Sequence, residues 1–251
     1  MIRQKSFLRL LTGSLGETTF VKTADGYRAQ EKKVLSPGRF KTDPAFQRVR
    51  ENNSEFQTAA AAGKLLRYSI NPLVRTAHDS RTISRLVKEI MKVVKADTVS
   101  APGHRNFQDG DVSKLRDFEF NANSLTSLVF RNLVPSTINR VTGELTISIP
   151  SFIPSGVITP PTGATHFEIV TAGVELDLAA KTYKTDNKTS GILPYNSTPL
   201  VVNAVHAVTA NSTLPLMLVF GVKFHEQING GIRPFLKGVQ DALMIVVVAK
   251  P

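Results

Sequence analysis

The sequence contains no cysteine, which excludes disulfide bonds, thiolate nucleophiles and cysteine-ligated metal sites. It also lacks an apolar run of about 18 residues, so no transmembrane helix is predicted. Acidic residues are scarce, because 20 Asp and Glu face 31 Lys and Arg and leave a net charge of +11. Such an excess predicts attraction to polyanions such as nucleic acid.

The positive charge is concentrated towards the N-terminus. Residues 1–110 hold 20 Lys and Arg against 10 Asp and Glu, whereas residues 111–251 hold 11 against 10. The segment ADTVSAPGHRNFQDGDVS (96–113) is rich in Pro, Gly, Ser and Asp and has no hydrophobic period, which is typical of a linker. We therefore predict a basic arm with a hairpin and helices over 1–110, followed by a separate domain over 111–251.

The glycines of TGSLGETTFVKTADGYRAQEKK (12–33) predict turns and not a phosphate-binding loop. Two β-prone runs flank Ala24-Asp25-Gly26, and Asp-Gly is a strong hairpin signal. Gly13-Ser14-Leu15-Gly16 predicts a second tight turn, so a three-stranded meander is expected. A Walker loop would need Gly-Lys-Ser/Thr after an apolar strand, and neither is present. The basic residues of this ribbon either contact phosphates or are simply solvated; the candidates are Arg3, Lys5, Arg9, Lys32 and Lys33.

A first helix is predicted from Asp43 as N-cap and Pro44 at the first helical position, with Pro72 ending or kinking it. Its expected apolar residues are Phe46, Val49, Phe56, Ala60, Leu66 and Ile70. The helix contains a run of small side chains, Ala59-Ala60-Ala61-Ala62-Gly63. Such a run allows the close approach of another backbone, either from a helix of the same chain or from a neighbouring subunit.

The second helix, within DSRTISRLVKEIMKVVKAD (79–97), has the clearest period in the chain. Asp79 or Ser80 is the expected cap, and the expected apolar face comprises Ile83, Leu86, Val87, Ile90, Met91 and Val94. The basic residues of this helix recur at intervals of four, three, four and three residues, so they lie on one side of the helix. They are Arg81, Arg85, Lys88, Lys92 and Lys95. We call these five the basic stripe. It is either an ordinary solvated face or a surface for nucleic-acid phosphates, with an anionic membrane as a third option.

The remainder predicts an antiparallel β-sandwich, with an immunoglobulin-like topology and a jelly roll both open. About nine short β-prone segments are separated by turn signals, among them the hairpin loop at 141–144, Ala172-Gly173 and Asn229-Gly230-Gly231. The fold class is thus α+β, with an N-terminal meander and two helices before the sandwich.

No motif predicts catalysis, a metal or a cofactor. The five histidines are scattered, and Asn229 stands where a zinc-protease motif beginning at His225-Glu226 needs its second histidine. Glu175 and Asp177 are interpreted as solvent-facing alternation along a strand, not as an acid–base pair. An enzyme is therefore not expected, and no small-molecule substrate is inferred.

The segments GSLGETTF, DGYRAQEK, DPAFQRVREN, AAGKLLR and VFGVKFHEQINGG resemble an uncharacterised family of Bacteroidota genomes and their mobile elements. The resemblance implies a phage- or element-encoded structural protein, located in a virion if phage-encoded and otherwise in the cytoplasm. We therefore expect a non-enzymatic subunit that self-assembles into a capsid-like shell, tube or fibre, with its basic N-terminal region on DNA, RNA or neighbouring subunits. The alternatives are a freely diffusing, sequence-nonspecific nucleic-acid-binding protein and a lectin-like or adhesin module.

Overall fold

The structure is a computed structural model that describes residues 12–24, 26–32, 37–235 and 240–250. Its contacts divide the chain into two compact units, Met1–Arg50 and Glu51–Pro251. The predicted α+β class is confirmed: an N-terminal antiparallel meander and long helices precede a sandwich-like arrangement of antiparallel sheets.

The first unit contains the predicted meander. Its strands are β1 (Gly13–Leu15), β2 (Thr18–Thr23) and β3 (Gly26–Glu31), followed by helix α1 (Pro37–Thr42). The hairpin forms with Thr23 opposite Gly26, although Asp25 itself lies outside the described residues. The glycine-rich stretch predicted as a second turn is strand β1 as far as Leu15, and the turn begins only at Gly16.

The second unit begins within helix α2, which spans Gln47–Ser69. The predicted cap is confirmed, since the Asp43 carboxylate accepts the Ala45 N–H at 2.9 Å at the start of the 3-10 turn Pro44–Phe46 that leads into α2. The chain then forms the short helix α3 (Asn71–Val74), which contains Pro72, and helix α4 (Thr82–Lys95).

The face that α2 buries differs from the predicted one. Its buried residues are Glu55, Ala59, Ala62, Gly63, Leu66 and Ser69. The side chains of Val49 and Phe56, which we expected in the core, are 43% and 55% exposed. The small residues instead let α4 approach, because a Cβ on Gly63 would lie 3.3 Å from Cδ1 of Ile90. The helical spacing of the large apolar residues was a misleading guide to the buried face of α2, because a close contact between two helices requires small side chains.

The sheets follow in the second half of the chain. Between α4 and the first of their strands lie a 3-10 turn (Val112–Leu115) and the short helix α5 (Thr126–Val129), and helix α6 (Pro154–Val157) follows β5. The strands are β4 (Ser136–Asn139), β5 (Glu144–Phe152), β6 (His166–Asp177), β7 (Thr182–Thr189), β8 (Leu193–Pro194), β9 (Leu200–Ala207), β10 (Leu216–Ile228), β11 (Gly231–Pro234) and β12 (Ala242–Ala249).

These strands make two antiparallel sheets. In the central sheet β10 pairs with β6 on one side and with β11 and β12 on the other, while β6 also pairs with β7 and β8. The outer sheet has the order β4-β5-β9. The Ala172-Gly173 turn that the sequence suggested does not form, because β6 runs through it without a break and pairs with β10 from His166 to Glu175.

The central sheet is apolar on both faces. One face shares a core with α2, α4 and the loop that follows α4, through residues such as Val174, Val219 and Ile245. The other face packs on the outer sheet, through residues such as Phe220 and Val222 against Leu145 and Ile147. The second unit is therefore layered as helices, central sheet and outer sheet.

The segment predicted as a linker is a packed loop. Phe107 is 1% exposed within the core that the helices share with the central sheet. The carboxylate of Asp97 accepts N–H groups from Val99, Ser100 and Asn106 at 2.8, 3.0 and 3.0 Å. The contact division falls after Arg50 and not at residue 110. The boundary near residue 110 stays a prediction, but because this core crosses it, residues 111–251 are expected to need the helices for cooperative folding.

Candidate polyanion-binding surface

The positive charge is largest in the first unit. Residues 1–50 hold 11 Lys and Arg against 4 Asp and Glu, which is a net +7, while residues 51–251 hold 20 against 16. Of the ribbon candidates, Arg3, Lys5, Arg9 and Lys33 lie outside the described residues. Lys32 is exposed just after β3, and its backbone N–H donates to Glu17 O at 2.6 Å.

The basic stripe lies on α4, whose buried residues are Thr82, Leu86, Ile90, Val93 and Val94. The amphipathic pattern is thus largely confirmed, except that Ile83 is 54% exposed and Val93 takes a core position instead. The N-cap of α4 is Arg81 and not the expected Asp79 or Ser80. Asp79 still contacts the start of the helix, because its carboxylate accepts the Arg81 N–H at 2.6 Å and its own N–H donates to the Thr82 hydroxyl at 2.8 Å.

Arg85 differs from the rest of the stripe because it is fixed by the protein. Its guanidinium donates to the carbonyls of Glu119 and Phe120 at 2.7 and 3.0 Å and forms an ion pair with Asp79. It also lies 5.4 Å from the centre of the Phe118 ring. These contacts join α4 to the segment that runs antiparallel along β12, so Arg85 is a structural cation.

The environment keeps Asp79 charged. Burial raises the pKa of this carboxyl, but the N–H groups of Ala122 and Arg81 and the Arg85 guanidinium oppose burial and bring the pKa below its ordinary value. Glu119 behaves differently: burial raises its pKa, and hydrogen bonds from Thr126 at 2.9 and 2.8 Å offset this only in part.

The other four stripe residues are exposed. Lys92 is paired, since its ammonium lies 2.6 Å from a carboxylate oxygen of Glu89. Within the described part of the chain, the side chains of Arg81, Lys88 and Lys95 form no ion pair. They are spaced by seven residues, about 10 Å apart along one side of the helix. These three are therefore the stripe residues that a phosphate backbone can contact.

A cleft of about 330 Å³ adjoins the stripe. It brings Arg85 and Lys88 together with Lys114 and Arg116, which the sequence analysis did not select. Three carboxylates also line it: Glu89, Asp117 and Glu119. The cleft is thus nearly balanced in charge, and the exposed side of α4 is more basic than the cleft beside it.

Glu175 is a buried carboxylate that the sequence placed in solvent. Glu175 is 5% exposed and accepts the Ser212 hydroxyl at 2.5 Å and the Thr209 N–H at 3.0 Å, so its predicted solvent-facing position is wrong. Burial raises the pKa of Glu175, and these hydrogen bonds lower it by more. Alternation failed as a guide because β6 is covered on both faces.

Two histidines of the second unit are buried and lie near carboxylates. His225 lies 3.3 Å from Glu168, whose other oxygen accepts the Thr189 hydroxyl at 2.5 Å. His206 is fully buried, and burial lowers its pKa. Among the described residues no group of three or more histidines and carboxylates could hold a metal ion, and no helix is long and apolar enough to cross a membrane.

Comparison of the chain with models of protein families, with curated proteins and with solved structures gives no match.

Proposed function

We propose that the protein is a non-enzymatic structural subunit that assembles with copies of itself through its basic N-terminal unit. One observation carries this proposal: the meander is amphipathic, yet none of the described residues of its three strands is buried. A small sheet of this kind needs a covering surface to be stable.

The register places the apolar residues of the meander on one side. Phe20 lies opposite both Gly13 and Ala29, Leu15 opposite Thr18, and Tyr27 opposite Lys22. Leu15, Phe20, Tyr27 and Ala29 therefore share a face, with Leu15 75% exposed and the two aromatic rings half-buried. A partner surface would remove this apolar area from water.

The proposed partner surface is the outward face of β4-β5-β9 in a neighbouring copy. Two copies of a protein with a net charge of +11 repel each other, so contact costs the least free energy where cations are few. One lysine of β7, Lys188, reaches the edge of this sheet and donates to Val205 O. The outward positions of this sheet carry no Lys or Arg and are Thr137, Asn139, Glu144, Thr146, Ser148, Val201, Asn203, Val205 and Ala207. Val201 and Val205 are 55% and 45% exposed and provide the apolar counterpart.

Such a contact joins two different surfaces, so it is heterologous. Heterologous contacts produce closed rings when the rotation closes and tubes or fibres when it does not. This is the geometry of a shell, tube or fibre subunit.

The test measures particle mass by light scattering after nuclease treatment and in 1 M salt, where the Debye length is about 3 Å and bridging by nucleic acid is suppressed. The wild-type chain is expected to form multimers. Phe20→Thr with Tyr27→Thr should reduce the mass, and so should Val205→Lys on the acceptor sheet. Val21→Thr changes the opposite side of the meander and is the matched control. A monomeric wild type, or unchanged multimers in both variants, would refute the proposal.

A second candidate function, sequence-nonspecific nucleic-acid binding, is favoured by the net charge of +7 over residues 1–50 and by the exposed side chains of Arg81, Lys88 and Lys95. Replacing Arg81, Lys88 and Lys95 together by Gln should flatten the slope of log K against log salt by about two to three units, because each phosphate contact contributes roughly 0.7–0.9. Lys184→Gln on β7 is the control. Absence of binding at every salt concentration would remove this function and leave assembly as the proposal.

A further inference from the structure

A second cleft, of about 710 Å³, lies beside the C-terminal half of α2 in the second unit. Its walls are the C-terminal half of α2, the packed loop around Phe107 and the turn between β6 and β7. We call it the α2 cleft. Its volume falls in the range of about 300–1,000 Å³ that is usual for sites of small organic ligands.

The lining of the α2 cleft combines an apolar floor with two cations. Leu65, Phe107 and Leu178 contribute to the floor. Lys64 and Lys181 are the charged residues of the lining, which contains no carboxylate. The Lys64 ammonium lies 5.4 Å from the centre of the Tyr68 ring, so the cation and an aromatic face stand side by side.

The walls are held in place before any ligand binds. Asp97 fixes the loop through three backbone N–H groups, and hydrogen bonds shift its pKa down to about 2 although burial opposes the shift. The β6–β7 turn is closed by the Ala180 N–H, which donates to Asp177 at 2.8 Å. A preformed cleft lowers the entropic cost of binding.

Lys181 occupies an unfavourable backbone conformation. Its φ is +57°, in the left-handed region where a glycine or asparagine would be less strained. The backbone is therefore strained at a residue whose long basic side chain lines the cleft. Backbone strain of this kind accompanies functional sites.

From these observations we propose that the α2 cleft binds an amphipathic organic anion, whose alkyl or aromatic body lies on the apolar floor and whose carboxylate is attracted by Lys64 and Lys181. The site is separate from the surfaces proposed for assembly. Each additional CH₂ group buried in the cleft should tighten binding by about fourfold.

The test uses straight-chain carboxylates and full-length protein. Displacement of bound anilinonaphthalene sulfonate would be followed by fluorescence, with octanoate and decanoate as competitors and decanol as the uncharged analogue. Decanoate should bind about sixteenfold more tightly than octanoate, since the two differ by two CH₂ groups. Lys64→Gln with Lys181→Gln should weaken decanoate by about tenfold and leave decanol unchanged, because an exposed cation contributes about threefold.

Two further variants make the outcome specific to the cleft. Ala61→Phe should weaken both ligands by at least about tenfold, because the ring occupies the volume of several CH₂ groups. Lys184→Gln removes a cation outside the lining and should have no effect. The proposal is overturned if the wild type shows no saturable binding, if Ala61→Phe has no effect, or if Lys184→Gln acts as strongly as the cleft lysines. Binding of acidic peptides without binding of the carboxylates would overturn it as well.

Discussion

Arg85 and Lys88 lie one turn apart on α4, and the structure predicts opposite consequences of removing their charges. Arg85 donates to two backbone carbonyls and pairs with Asp79, whereas Lys88 is exposed and forms no ion pair within the described part of the chain. Arg85→Gln removes all three contacts, because the shorter amide cannot span them. Lys88→Gln removes the same charge from the same helix and is the matched control.

The magnitude follows from these contacts. A hydrogen bond to a charged group contributes about 1.5–3 kcal/mol. The side chain of Arg85 is 30% exposed, so water replaces part of what is lost and the lower end of the range applies. We expect Arg85→Gln to reduce the free energy of unfolding by about 2–4 kcal/mol and Lys88→Gln to change it by less than about 0.5 kcal/mol.

Urea unfolding followed by circular dichroism measures both values. With a slope near 2 kcal/mol per molar urea, the midpoint of Arg85→Gln should fall by about 1–2 M. Arg85→Lys keeps the charge but not the planar fork and should give an intermediate loss. Equal midpoints for Arg85→Gln and Lys88→Gln would refute the structural role of Arg85. It would then return to the candidates for phosphate contact.

Other predictions follow from the core. Gly173→Ala should destabilise the protein by about 1–3 kcal/mol in the same urea assay, because a Cβ at this position would lie 2.5 Å from the Cβ of His206. Gly156→Ala is the control and should be neutral, because a Cβ at that position has open space. A fragment of residues 112–251 should bind anilinonaphthalene sulfonate and lack near-UV circular dichroism, because it exposes the helix-facing side of the central sheet. Cooperative unfolding of this fragment would contradict the expectation that the sheet needs the helices to complete its core. Asp97→Asn should be less stable than wild type at pH 7. The pKa of the Asp97 carboxyl is about 2 in the folded state and near 3.9 in the unfolded state, so the ionised carboxylate stabilises the folded state at every pH above about 3.9. This difference in urea midpoint should close as the pH falls through about 2, and a gap independent of pH would contradict it.

The sequence predicted two local features well, the buried side of helix α4 and the last hairpin turn. Helix α4 has a solvated side, so its apolar period identified most of its buried residues. The hairpin at Asn229-Gly230-Gly231 was also predicted, because a tight turn is determined by local backbone preferences.

The errors arise where tertiary contacts override the local pattern. Strand β6 is covered on both faces, so Gly173 is a point of close approach and not a turn, and Glu175 is buried with its own partners. Strand β7, with sequence TYKTDNKT, is polar because it is largely exposed, and it showed no β pattern. The α2 cleft was missed because its lining comes from three segments, 58–68, 106–108 and 178–181, which are far apart in the sequence.

The double burial of the central sheet also matters during synthesis on the ribosome. The segments Leu216–Val222 and Leu243–Val248 contain neither a charge nor a proline, a composition that favours aggregation while a chain is unfolded. Helices α2 and α4 and strands β4, β5 and β9 all precede these two segments and so leave the ribosome earlier. Each apolar strand therefore emerges when the layers that cover its two faces have already been made, which shortens the time for which it is open to other nascent chains.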